Sequence, residues 1–68
     1  MKLTIELERE VDGRWIAEVP ELNILLYGES EQDAVERAQR TARQIVADRI
    51  AHGELPADCA AATFDLAA

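Results

Sequence analysis

The sequence predicts an α+β domain of order β-β-β-α-β, an antiparallel sheet with one long helix packed on one of its faces. Three observations carry this. The first segment, through Glu8, and then Arg14 to Val19 each place their apolar side chains with the two-residue period of half-buried strands, with Asp12-Gly13 marking a hairpin between them. Between Ser30 and Gly53 the apolar residues follow a helical period instead. A short alternation then returns at Ala62, Phe64 and Leu66.

Taken in order, Leu3, Ile5 and Leu7 share one face of the first strand, with Thr4, Glu6 and Glu8 on the other. Trp15, Ala17 and Val19 repeat the pattern in a second strand. A two-residue turn at Asp12-Gly13 would set Leu7 opposite Glu18 and mix core with solvent. A three-residue loop, Val11-Asp12-Gly13, sets Leu7 opposite Ala17 and Ile5 opposite Val19, with Gly13 taking the left-handed position that ends such loops. Pro20-Glu21 closes the second strand, because proline has no N–H for the ladder. Leu22-Asn23-Ile24-Leu25-Leu26-Tyr27 reads as a third strand, apolar on nearly both faces, so it is interior or meets a partner.

After Gly28, Ser30 can cap a helix whose first turn holds Asp33, where the helix dipole favours an anion. The helix runs from Glu31 to about His52 and stops at Gly53, with Pro56 beyond. At ~1.5 Å per residue it is roughly 33 Å long, against roughly 23 Å for a seven-residue strand, so part of it overhangs the sheet. Its sheet-facing stripe is Ala34, Val35, Ala38, Ala42, Ile45 and Val46, with Arg49 in the middle. The expected core is Leu3, Ile5, Leu7, Trp15, Ala17, Val19, Ala38, Ile45 and Phe64, Trp15 contributing most.

Length and charge narrow the function. A chain of 68 residues holds one domain, residues 1–68, and so small a core favours self-association. One cysteine, Cys59, excludes an internal disulfide, and with the single histidine, His52, supplies a metal site poorly. No cofactor is indicated. Seven basic against fourteen acidic residues, a formal charge of −7, disfavour direct nucleic-acid and anionic-membrane binding and favour basic partners. No apolar run reaches the ~20 residues of a spanning helix, and the amino terminus alternates where a signal peptide would be continuously apolar, which points to the cytoplasm.

The segments Asp12-Gly13-Arg14-Trp15-Ile16-Ala17-Glu18-Val19-Pro20-Glu21-Leu22, Tyr27-Gly28-Glu29-Ser30 and His52-Gly53-Glu54-Leu55-Pro56, around an acidic helix start and an alanine-rich helix body, resemble in their order the N-terminal domain of the HicB-type antitoxin family and its small stand-alone relatives. The resemblance spans most of the chain. It implies a partial ribonuclease H-like fold without catalytic acids, a homodimer, and the masking of a small basic RNA-cleaving toxin of HicA type. Two features depart from the family. Asn23-Ile24-Leu25 stands where members often carry a Pro-Gly-Cys-like segment, and the 68 residues leave no room for the C-terminal DNA-binding domain of full-length antitoxins. Operator binding is therefore not implied.

Candidate residues follow from the same pattern. Glu6, Glu8 and Glu18 share the outer face of the hairpin with Ile16, and the third strand adds either Leu25 and Tyr27 or Ile24 and Leu26, according to its phase. Acids ringing apolar groups suit a basic partner; ordinary surface apolarity is the competing reading. Metal-dependent nuclease chemistry needs several convergent carboxylates, whereas these three occupy the positions of a solvated strand. His52 reads as a helix-terminal capping residue, Cys59 as inert, and Gly28 as an isolated glycine outside any phosphate-binding loop. Arg49 either lays its stem along the core edge or pairs with an acid of a second subunit. Arg37, Arg40 and Arg43 read as a solvated helix face. No catalytic residue is assigned, and the expected function is protein binding.

Overall fold

In the computed structural model, which describes residues 1–67, the chain runs β1 (Lys2–Arg9), β2 (Trp15–Val19), β3 (Ile24–Gly28), α1 (Glu31–Ala51) and β4 (Thr63–Ala67). The hairpin has the expected register, with Leu7 opposite Ala17 and Glu6 opposite Glu18. Its loop closes through Glu10 N–H to Arg14 O at 2.7 Å and Gly13 N–H to Glu10 O at 3.0 Å, and Gly13 sits at φ 94°. Three loop residues put both apolar sets on one face, and the burial of the core repays that register.

Pro20 ends β2, and a 3₁₀ turn, Pro20–Leu22, follows with Asn23 left-handed at φ 56°. The third strand thus begins at Ile24 and not at Leu22 as the apolar run suggested. Leu22 instead turns into the core, 5% exposed. With the ladder interrupted at Pro20, the Glu21 carboxylate accepts the Thr4 N–H at 3.1 and 3.2 Å and stands in for the missing strand partner. This holds the Glu21 carboxyl below its ordinary range, through its own backbone N–H and that of Thr4.

The strand order is β3-β2-β1-β4. The first three strands are antiparallel, but β4 joins β1 in parallel, Leu3 beside Phe64, so the sheet is mixed and not wholly antiparallel. The reason is the crossover: β3 and β4 both run with β1, and α1 carries the chain over the sheet from one edge to the other. Alternation within β4 is the same in either sense, so the sequence pattern could not separate them.

At the helix start, Ser30 Oγ accepts the Asp33 N–H at 3.0 Å, and the Asp33 carboxylate accepts the Glu29 N–H at 3.0 Å and pairs with Arg37 at 3.2 Å. At its end, Glu54 N–H to Arg49 O at 2.8 Å and Gly53 N–H to Ile50 O at 3.1 Å, with Gly53 at φ 74°, close a Schellman motif. Ala34, Ala38, Ala42 and Val46 are buried along one side of α1. Small residues let the helix approach closely, and Gly28 completes the fit: a Cβ there would lie 2.4 Å from Ala34 N. The glycine that resembled no ligand loop is a packing glycine.

The core is Leu3, Ile5, Ala17, Val19, Leu22, Ile24, Ala34, Ala38, Ala42 and Val46. Leu7, Ile45 and Phe64 are half-buried against it, and so is Trp15, contrary to its expected leading role. The indole stands at the loop end of β2, beside Arg9 and Gly28, where fewer neighbours can enclose a large ring. The helix packs chiefly on β3 and β2. The molecule measures 40 × 17 × 16 Å, the elongation expected of a helix longer than its sheet.

Candidate functional site

The side of the sheet turned away from α1 is built by the register. Residues paired across adjacent strands share a face, so two rows cross the sheet: Glu6, Glu18 and Leu25, then Glu8, Ile16 and Tyr27. Burial settles the phase of β3, because Ile24 is buried and Leu26 half-buried on the helix side, whereas Leu25 is 58% and Tyr27 42% exposed. Six of the seven expected partner-binding residues therefore meet on one face. The seventh, Arg49, does not. It lies half-buried on the sheet-facing stripe of α1, in the other layer, and cannot share a contact with them through the sheet.

Glu6 stands directly opposite Glu18, an arrangement that costs stability because like charges are held one strand spacing apart. Toward β4 the outer face adds Asp65, paired with Lys2 at 3.2 Å. The face thus offers exposed apolar groups beside carboxylates, with Lys2 already engaged. Among the described residues no three His, Cys, Asp or Glu side chains converge closely enough to hold a metal ion.

A second cation, Arg14, reaches this face. The Arg14 guanidinium lies 4.6 Å from the centre of the Tyr27 ring and 2.8 Å from the Asp12 carboxylate. The Arg14 backbone N–H, then its guanidinium, hold the Asp12 carboxyl below its ordinary range. Sequence reasoning passed over Arg14. Its meeting with Tyr27 depends on the pairing of β2 with β3, which the alternation of neither strand specifies.

The remaining candidates are occupied structurally. His52 Nδ1 lies 2.7 Å from Asp48 O and 3.5 Å from its carboxylate, at the cap of α1. Arg37 pairs with Asp33, and Arg43 lies 5.2 Å from the centre of the Phe64 ring. A shallow groove between Glu36, Arg40, Arg43 and Gln44 is lined by one helix alone and gathers no convergent chemistry. Among the described residues no helix is long and apolar enough to cross a membrane. No family model matches this chain, and neither a curated protein nor a solved structure matches it.

Proposed function

We propose that this domain is a non-catalytic, antitoxin-like binding module that masks a small basic RNA-cleaving toxin of HicA type in the cytoplasm, taking it on the outer face of the sheet. The observation that carries the reading is the Glu6–Glu18 pair beside exposed Leu25 and Tyr27. A fold gains nothing from facing carboxylates, whereas a partner's lysine or arginine set between them relieves the repulsion and forms charge-assisted hydrogen bonds. Arg14 over Tyr27 is an internal example of a guanidinium on this surface. The net charge of −7 steers a basic partner inward, and Ile16, Leu25 and Tyr27 supply the buried contact that retains it.

The test is RNA cleavage by a small basic toxin of HicA type, sought beside the gene for this protein and assayed with and without it. Masking should abolish cleavage, and full cleavage in its presence overturns the reading. Glu6→Lys with Glu18→Lys should slow association and flatten its salt dependence, whereas Ile16→Asp should chiefly speed dissociation. A second reading, a structural or regulatory homodimer with another protein partner, is favoured by the uncharged edge strand β3.

A further inference from the structure

The two edges of the sheet differ in kind. β4 places Asp65 at its centre, a charge that guards an edge against pairing. β3, Ile24–Gly28, contains no charged residue, no proline and no bulge, and among the described residues its one strand neighbour is β2. Among the described residues no backbone hydrogen bond reaches β3 from outside that pairing. A flat, uncharged edge is a template for another strand.

We infer that the occupant is a second copy of this chain, joined by antiparallel pairing of β3 with β3 about a two-fold axis at Leu26, giving one continuous eight-stranded sheet. This rests on the homodimer half of the reading above and names its interface. Two arguments select it. The first is fit: such pairing sets Ile24 beside Gly28 of the second copy, large against small, and Leu25 beside Tyr27 of the second copy, apolar against aromatic.

The second is charge. With −7 on each copy, docking outer face to outer face would stack Glu6, Glu8 and Glu18 against themselves across ~10 Å. Pairing β4 with β4 about its centre would set Asp65 against Asp65 at ~5 Å. In the β3 pairing the nearest outer-face acid, Glu18, stands one strand in from the edge. Its copy is then three strand spacings away, ~14 Å, beyond the ~8 Å screening length of physiological salt. The joined sheet keeps both helices on one side and presents both acidic faces on the other, with Leu25 and Tyr27 of the two copies as a shared apolar centre. A basic partner then meets a surface of doubled valence.

Sedimentation of the protein alone tests this without any toxin, so its result stands apart from masking. A concentration-dependent dimer is expected, with β3 amides gaining hydrogen-exchange protection as the dimer fills. Leu25→Lys, at an exposed position, should raise the dimer dissociation constant at least ~10-fold while the far-ultraviolet circular dichroism holds. Adding Tyr27→Glu to that variant should restore association, because the new charges face each other across the two-fold. Thr63→Lys on β4 should change nothing. A monomer at every concentration overturns the inference, as does a dimer indifferent to Leu25→Lys or β3 amides whose exchange ignores concentration.

Discussion

The two sides of the sheet obey different rules. The helix side is close-packed from small parts: four i, i+4 positions of α1, three of them alanine, lie on Ile5, Ala17 and Val19, and the fit is so tight that Gly28 admits no Cβ. The outer side contains a feature that costs folding energy, Glu6 opposite Glu18, and leaves Leu25 and Tyr27 exposed. Stability is concentrated where shape is unforgiving, and partner recognition, on our reading, where the surface is strained by its own charge.

The difference can be broken most severely at Gly28. Gly28→Ala should cost ~3 kcal/mol or more, because the clash is with Ala34 backbone and the helix must lift. Denaturant unfolding would show it, and an unchanged midpoint would mean that α1 does not sit as described. Ile5→Ala should cost ~2 to 5 kcal/mol as a cavity in the fully buried layer. Trp15→Ala should cost less than the ~3 to 5 kcal/mol of a fully enclosed aromatic, since the indole is only half-buried, so the ranking of the two variants reports where the core lies. Ser30→Ala removes the helix cap at ~1 kcal/mol, seen as a lower melting temperature.

On the outer side the sign should reverse. Glu18→Lys should stabilise the free protein by ~0.2 to 1 kcal/mol, replacing a repulsive cross-strand pair with an attractive one. For a domain this size that raises the melting temperature by a few degrees, ~4 to 8 °C per kcal/mol. The same variant should bind a basic partner more weakly, and a variant less stable than the parent would refute the strain. The smallest effect concerns pH. Asp12, Glu21 and Asp33 have carboxyl pKa values lowered by folding, so their contribution is present above the unfolded carboxylate range and is lost as pH falls through the folded values. Thermal melts should show stability constant near neutrality and falling in acid, and Glu21→Gln should make that fall shallower.

Much of the architecture is legible in the chain because it is local. The hairpin register follows from one constraint, that a one-residue slip would invert every side chain between Leu3 and Val19, and the helix ends follow from Ser30, Asp33 and Gly53, whose chemistry acts within a few residues. The candidate face is legible as far as the hairpin reaches, through Glu6, Glu8, Ile16 and Glu18. Three things required the tertiary structure. The phase of β3 was open because an apolar run on both faces has no period to read, and burial against α1 chose Leu25 and Tyr27 for the outer side. The parallel sense of β4 depends on the connection over residues 29–62 returning the chain to the end of the sheet where β1 and β3 begin, a property of the whole path. Arg14 entered the site because alternation fixes which face of its own strand a side chain takes but not which strand lies across from it.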